Sequence, residues 1–395
     1  MSDRSRVAVG VVGAGAMGSG IAQVAAAAGH DVILGDMNGA TVDRARENIR
    51  RSLARDVEKG RVDRAAADAT IDRIGDAGDL GSGFERYARC GIVIEAVLED
   101  LGAKRALFTA LERVVPDECI LATNTSSLSI AAIGGPCRRP GRVVGVHFFN
   151  PAPLMPLVEI ISAITTDPLV ASSARALVDG WKKITVVASD TPGFIVNRVA
   201  RPYYGESLRL LEEGIADAAT IDWAMRELGG FRMGPFELMD FIGNDVNYAV
   251  SQSVFEGFFH DPRYRPALTQ RRLVEAGLYG RKRERGYYDY RDGAVKPEPV
   301  RDEVLGRVIV ERIVAMLVNE AVEAVHLRVA SARDIETAMT KGVNYPKGLL
   351  AWGDEIGAAT VLARLDALQA EYGDDRYRPS SLLRRRARAG EPLLA

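Results

Sequence analysis

Cysteine and histidine are both scarce in this chain, with three and four among 395 residues. The cysteines, Cys90, Cys119 and Cys137, are odd in number and lack CxxC or metal-ligand spacing. This argues against a disulfide framework or a structural metal site and fits a reducing compartment. An excess of either charge is also missing: Lys plus Arg total 51 against 53 for Asp plus Glu, a net charge of -2. No global basic field exists to hold nucleic acid or an anionic membrane, so any anion site must be local. Charge is absent altogether from Val7 to Gly29, and Arg4 and Arg6 precede this stretch. That pattern can imitate a signal peptide or a membrane span. The stretch, however, is mostly Gly and Ala with Ser19 and Gln23 inside, and it runs directly into a second apolar segment, VILGD. Neither export nor membrane insertion is expected, and the protein is placed in the cytoplasm.

The 47% of hydrophobic residues can fill two or three packed domains. The first begins with a buried strand, RVAVGVV, followed by Gly13, Gly15 and Gly18 as GxGxxG at the opening of a helix through Ala28. In such a loop the first glycine permits the tight turn, the second lets a pyrophosphate approach the backbone, and the third lets helix and strand pack closely. The free amides of the helix N-terminus face the anion, so Ala16 and Met17 count with the glycines as cofactor-binding positions. The next strand, DVILGD, ends in Asp36, about twenty residues beyond the glycines, where a carboxylate accepts hydrogen bonds from ribose hydroxyls. A carboxylate there repels a 2'-phosphate, so the expected cofactor is NAD and not NADP. Further strand-like runs, GIVIEAV, CILATN, RVVGVHF, LVEII and ITVVA, interleave at first with helical stretches. They give a doubly wound α/β domain to about residue 188. Ligands in such sheets lie beyond the carboxyl ends of the strands, where Glu99, Asn124, Ser126, His147 and Asn150 are found.

From Ser189 onward the pattern is helical, and it repeats. The segment IVNRVARPYYGESLRLLEEGIADAATIDWAM from Ile195 aligns without gaps with IVERIVAMLVNEAVEAVHLRVASARDIETAM from Ile309. DPRYRP recurs later as DDRYRP, and the turn-rich YRDGAVKPEP separates the copies as a linker. Asn197 aligns with Glu311, and the GRKRERGYYDY stretch holding Lys282 has no second counterpart. The expected domains are therefore 1–188, 189–290 and 301–395, the last a truncated, structural copy that docks on the first helical copy as an internal pseudo-dimer.

On its own, a histidine between an apolar run and two phenylalanines, VVGVHFFNP, is more often a core ring than an acid/base group. Six ordered segments change that reading: GAGAMGSGIAQVAAAAGHDV, IEAVLEDLGAK, ATNTSSLSI, GVHFFNPAPLMPLVEI, DTPGFIVNR and MGPFELMDFIG. Along nearly its whole length the chain resembles the 3-hydroxyacyl-CoA dehydrogenases. The resemblance implies a Rossmann-type NAD-binding domain followed by two copies of an all-α, 6-phosphogluconate-dehydrogenase-like domain. It makes His147 the catalytic acid/base and Glu159 its carboxylate partner. Ser126 and Asn197 would bind the substrate's hydroxyl and acyl oxygens, although Ser and Asn also commonly cap helices, and TNTSS and DTPGF both resemble helix entries, with Pro192 near a first helical position. Glu99, Lys104, Asn150 and Lys282, with Asn124, would line the NAD pocket. In the helical stretch ENIRRSLARDVEKGRVDR, Ser52, Arg55 and Lys59 share one face; Ser52 and Lys59 match family positions that meet coenzyme A.

The implied reaction is reversible oxidation of a (3S)-hydroxyacyl-CoA to the 3-oxoacyl-CoA, in fatty-acid or aromatic-acid degradation, with no metal. The alternatives are the same chemistry on a carrier-protein thioester, or a non-catalytic NAD-binding homologue. The expected partner is the acyl-CoA substrate, with no nucleic acid or membrane, and the expected assembly is a monomeric pseudo-dimer or a homodimer.

Overall fold

The computed structural model describes residues 7–80 and 83–394; Arg4 and Arg6 lie outside them. The chain divides into two compact units, Met1–Thr191 and Pro192–Ala395.

The first unit is built on one eight-stranded sheet, β1 Ala8–Val12, β2 Val32–Asp36, β3 Ile74–Asp79, β4 Cys90–Glu95, β5 Ile120–Thr123, β6 Val143–Phe148, β7 Leu157–Ser162 and β8 Ile184–Ser189, in the order β3-β2-β1-β4-β5-β6-β7-β8. The central strands are nearly continuous Val, Ile and Leu because helices cover both faces of a parallel sheet. These helices are α1 Ala16–Ala27, α2 Gly39–Glu58, α3 Arg64–Asp72, α4 Leu101–Glu112, α5 Ile130–Gly134 and α6 Pro168–Asp179. The uncharged stretch from Val7 to Gly29 thus forms β1 and α1, and among the described residues no helix is long and apolar enough to cross a membrane. Strand β3, IGDAGD, carries no hydrophobic alternation and was not legible as a strand; it adds to the edge of the sheet by parallel pairing with β2. All strand pairs are parallel except β6 with β7.

The long basic helix expected through Arg64 ends sooner. Lys59 is the C-cap of α2, Gly60 follows in the left-handed region at φ +65°, and Asp63 starts α3 by accepting a hydrogen bond from the Ala66 amide. A glycine that adopts positive φ without a Cβ penalty is the usual terminator.

The second unit is all helical. Its first half holds α7 Val196–Val199, α8 Arg201–Glu212, α9 Ala218–Trp223, α10 Pro235–Ile242, α11 Asn244–Gly257 and α12 Leu268–Glu275. Its second half holds α13 Glu303–His326, α14 Ala332–Gly342, α15 Leu349–Ile356, α16 Ala358–Tyr372 and α17 Ser381–Ala389. Pro192 therefore precedes the first helix by a turn, with Gly193 and Phe194 both at positive φ in between.

The halves meet through ion pairs that are exchanged symmetrically. Arg198 Nε donates to Glu320 Oε1 at 2.6 Å, and the repeat-related Arg312 Nε donates to Glu206 Oε1 at 2.6 Å. The Tyr264 hydroxyl donates to Glu320 at 2.6 Å and the Tyr377 hydroxyl to Glu206 at 2.7 Å. Farther out, Arg265 pairs with Asp374 and Arg378 with Asp261, each at 3.0 Å. If i touches j' then j touches i', which is the logic of a two-fold interface between subunits, here within one chain. Internal caps repeat as well: Asp222 accepts the Phe236 and Glu237 amides, and Glu336 accepts those of Leu350 and Ala351. At the position of Asn197 the second half has Glu311, which is exposed and paired with Arg364 at 2.9 Å.

Candidate active site

The three glycines of the N-terminal loop are required for three different reasons. Gly13 has φ +98°, and a Cβ there would lie 2.5 Å from the Ala96 carbonyl oxygen. A Cβ on Gly18 would lie 1.7 Å from the Gly13 carbonyl oxygen, so that position admits no side chain. Gly15 is exposed, and a Cβ there would meet nothing within 4 Å, which leaves open space in front of the helix. The first backbone bond of α1 runs from the Ser19 amide to Gly15, so the amides of Ala16, Met17 and Gly18 precede it and are available to an anion. Asp36 Oδ2 accepts the Ala14 amide at 2.7 Å, which ties the loop to the end of β2. Beside them opens a cleft of about 780 Å³ whose lining includes Gly13, Asp36, Met37, Phe84, Leu98 and Leu107. A mostly apolar slot with one carboxylate at its polar end suits an adenine and its ribose.

Across the sheet, the carboxyl ends of β4 and β5 are joined by a buried network. Lys104 is 1% exposed, and its ammonium donates to Glu95 Oε1 at 2.6 Å and lies 3.2 Å from Glu99 Oε2. Glu95, fully buried, also accepts the Thr123 hydroxyl and the Val97 amide, each at 2.7 Å. Glu99 Oε1 accepts the Thr125 hydroxyl at 2.5 Å and the amides of Ser126 and Ser127 at 3.0 and 3.2 Å. Burial alone would raise the Glu99 carboxyl, but the Lys104 ammonium, the Thr125 hydroxyl and the Ser126 amide hold it below the ordinary glutamate value. Lys104, expected to line the cofactor pocket, is enclosed between two carboxylates, where it fixes Glu99 and, through it, the loop carrying Ser126. The Ser126 loop does not open a helix: α5 starts at Ile130, capped by Ser129, whose hydroxyl donates to Asp190 at 2.8 Å. Asn124 Oδ1 accepts the Phe148 amide at 2.7 Å and anchors the end of β6, while Asn150 stands exposed beyond it.

His147 and Glu159 are brought together by the one antiparallel step of the sheet. They are direct register partners on β6 and β7, and directly opposed residues of an antiparallel pair project on the same face with Cβ atoms about 5 Å apart. His147 Nδ1 lies 2.7 Å from Glu159 Oε2, with the ring 5% exposed and the carboxylate 0%. An ionised carboxylate only accepts, so the ring donates from Nδ1 and keeps a lone pair on Nε2 for a proton. Phe149 packs on the imidazole at 4.6 Å between ring centroids. The β6–β7 loop is clamped by Lys183, whose ammonium donates to the carbonyls of Ala152 and Met155 at 2.6 and 2.8 Å. The other histidines have local packing partners: His30 bonds the Val7 carbonyl and meets the edge of Trp181, His260 packs on Phe255, and His326 meets Arg385.

Ser52 is half-buried on α2, and Lys59 is exposed at its end. A cleft of about 410 Å³ lies between α1 and α2, lined by Gln23, Thr41, Arg44 and Asn48 among others. Thr41, Arg44 and Asn48 continue the stripe of Ser52 and Lys59 at helical spacing, so Arg44 is a basic residue of that face which the sequence reading overlooked. In the second unit, Asn197 lies on α7, and Lys282 is ion-paired with Asp245 at 2.6 Å. Glu95, Lys183 and Asp190 were also missed. Glu95 sits inside the quoted IEAVLEDLGAK, but nothing in spacing distinguishes a strand-end glutamate that organises a loop from one that faces water.

Comparison with known proteins agrees with this architecture. Residues 8–191 match the model of the 3-hydroxyacyl-CoA dehydrogenase NAD binding domain, and residues 193–290 and 308–393 each match the 3-hydroxyacyl-CoA dehydrogenase C-terminal domain. The chain is 38% identical to 3-hydroxyadipyl-CoA dehydrogenase of Escherichia coli K12, over 96% of this chain and 97% of that one. It is 42% identical to 3-hydroxybutyryl-CoA dehydrogenase of Bradyrhizobium diazoefficiens, over 74% of this chain and 98% of the other. A crystal structure of 3-hydroxybutyryl-CoA dehydrogenase from Escherichia coli K12 superposes with a TM-score of 0.90 at 38% identity, covering 97% of this chain and 98% of that one.

Proposed function

Because the chain belongs to the 3-hydroxyacyl-CoA dehydrogenase family, we propose that it catalyses the reversible NAD-dependent oxidation of a (3S)-hydroxyacyl-CoA to the 3-oxoacyl-CoA. The observation that carries this reading is the buried His147–Glu159 pair, set by strand register at 2.7 Å. Oxidising a secondary alcohol removes a hydride from carbon and a proton from oxygen. The Gly13–Gly18 loop and Asp36 would hold NAD, which when bound would supply the hydride acceptor. His147 Nε2 takes the hydroxyl proton, and Glu159 stabilises the imidazolium that results and fixes the tautomer that can accept it. In the reverse direction the same ring returns the proton. Ser126, positioned by Glu99, and Asn197 would hold the hydroxyl and acyl oxygens and so orient the reacting carbon.

The Ser52–Lys59 stripe of α2, extended by Arg44, supports a coenzyme A thioester over a carrier-protein thioester, since a nucleotide needs a local basic surface. The names of the relatives span a four-carbon acyl group and a six-carbon dicarboxylic one, which fits a role in fatty-acid or aromatic-acid degradation. Three free, buried cysteines fit the reducing cytoplasm. The reciprocal ion pairs of the helical unit support a second half that covers, within one chain, a face that would otherwise seek a partner. His147→Gln tests the mechanism: NADH should bind as in the wild type while kcat falls roughly 10²- to 10⁴-fold. Undiminished turnover would exclude His147 as the base.

A further inference from the structure

The dehydrogenase reading brings two groups of the first unit to one alcohol oxygen, the Ser126 hydroxyl and the His147 imidazole. They stand on separate segments. Ser126 lies in the loop that leaves β5, and His147 is the penultimate residue of β6. Backbone pairing of these two strands stops at Thr123 with Gly145, short of Ser126 and of His147. Beyond that rung no ladder fixes their spacing. The gap is closed by a side chain, because Asn124 Oδ1 accepts the Phe148 amide at 2.7 Å. The acceptor follows β5 directly and precedes Ser126 by two residues, while the donor is the residue after His147. One carboxamide thus adds a rung between the two segments.

Both ends of this bridge are held. The Asn124 amide donates to the Glu95 carbonyl at 2.8 Å, and the Thr125 amide to the Thr123 hydroxyl at 3.2 Å. Phe148 is 2% exposed and stacks on Trp181 at 6.2 Å between ring centroids. Other parts of the loop are tied elsewhere: Glu99 takes the Ser126 and Ser127 amides, and Asp190 takes those of Ile130 and Ala131 at 3.0 and 2.9 Å. Among the described residues neither of these carboxylates bonds β6. A buried amide that loses its acceptor is costly, so without the Asn124 oxygen the end of β6 would shift to find another. Resting on the dehydrogenase reading above, we propose that Asn124 is a positioning residue, whose carboxamide sets the separation of the Ser126 hydroxyl from the His147 ring. This role differs from the cofactor contact that the family resemblance implies for it.

Asn124→Leu keeps the size of the side chain and removes the acceptor, while Asn124→Asp keeps an oxygen for the Phe148 amide. Each is assayed in the full chain by NADH formation from a panel of (3S)-hydroxyacyl-CoA thioesters and by NADH titration. Asn124→Leu should lower kcat roughly 10- to 10²-fold, the scale of a misplacement near 1 Å, with NADH affinity unchanged, and Asn124→Asp should retain most of the turnover. In a Ser126→Ala background, where no hydroxyl remains to be placed, Asn124→Leu should cost no more than about a further twofold, the scatter of independent sites. A merely structural role would give equal losses in both backgrounds. That result, a weakened NADH affinity with kcat unmoved, or an Asn124→Asp protein as slow as Asn124→Leu overturns the proposal, as does a Ser126→Ala protein of wild-type activity. If thermal denaturation shows that Asn124→Leu is unfolded, Asn124→Ala removes the bridge without crowding and takes its place in the same comparison. A wild type that turns over none of the thioesters would instead overturn the dehydrogenase reading on which it rests.

Discussion

Replacing Glu159 with Gln removes a charge and almost nothing else. The carboxylate is fully buried, its Oε2 is 2.7 Å from His147 Nδ1, and Gln has the same length and can still offer an oxygen to that nitrogen. The cost then has two sources. A hydrogen bond to a charged group contributes about 1.5–3 kcal/mol against about 0.5–1.5 for a neutral one, a difference of about 1–2 kcal/mol. At about 1.36 kcal/mol per tenfold, that is roughly a 5- to 30-fold loss. The second source is orientation. If the Gln side chain turns its NH₂ toward the ring, Nδ1 must accept, the proton moves to Nε2, and the base is blocked; the equivalent Asn substitution in a serine-protease triad costs about 10⁴-fold. We therefore expect kcat to fall between roughly 10- and 10⁴-fold, with NADH affinity unchanged because Glu159 belongs to no part of the cofactor loop. Steady-state NADH production gives the first quantity, fluorescence titration with NADH the second, and thermal denaturation controls for folding. A folded Glu159→Gln protein with kcat within about threefold of wild type, well short of the loss expected for an essential orienting partner, would refute the acid/base assignment of the pair.

Gly18→Ala should abolish NADH binding and lower Tm, because its Cβ would sit 1.7 Å from the Gly13 carbonyl oxygen; tight NADH binding by the variant would contradict the role given to the loop. Glu320→Gln should destabilise the helical unit by roughly 3–5 kcal/mol in chemical denaturation, since Arg198 and Arg263 stay buried with less counter-charge. Joint substitution of Arg198, Arg263 and Glu320 by Met should recover much of that loss, and a triple variant as unstable as Glu320→Gln would argue against the electrostatic cause. Burial lifts the Asp222 carboxyl from 3.8 to about 7, against the pull of the Tyr288 hydroxyl and the Phe236 and Glu237 amides. The folded state therefore binds this proton more tightly than the unfolded chain, so the wild type should lose stability relative to Asp222→Asn as pH rises from about 4 to about 7, by at most about 4 kcal/mol. A stability difference independent of pH across that window would show that Asp222 does not titrate there.

Much of the first unit could be read from the chain because its information is local. The strands are runs of Val, Ile and Leu, the loop glycines are fixed by spacing, and Asp36 follows at the end of the next strand. Strand β3 escaped because IGDAGD has no apolar alternation and a single branched residue, Ile74, and edge pairing to β2 supplies what propensity does not. The basic helix was read too long because Lys59-Gly60-Arg61 continues a charged pattern, while only the backbone at Gly60 decides that the helix stops. His147 and Glu159 could be named from the family motif, but their contact depends on β7 running opposite to β6, which no periodicity reveals. The burial of Lys104 between Glu95 and Glu99 was hidden for a similar reason: in sequence all three are charged residues that could equally face solvent. The repeat was visible in the helical part, whereas the exchange of Arg198–Glu320 for Arg312–Glu206 needed both halves folded against each other.

That exchange has a consequence for how the helical unit behaves under dilution. Two separate subunits joined by such a face come apart as their concentration falls, and their apparent stability follows mass action. Tethered by residues 291–302, the halves here meet at a fixed effective concentration, so the shape of the helical unit is independent of how many copies of the protein the cell contains.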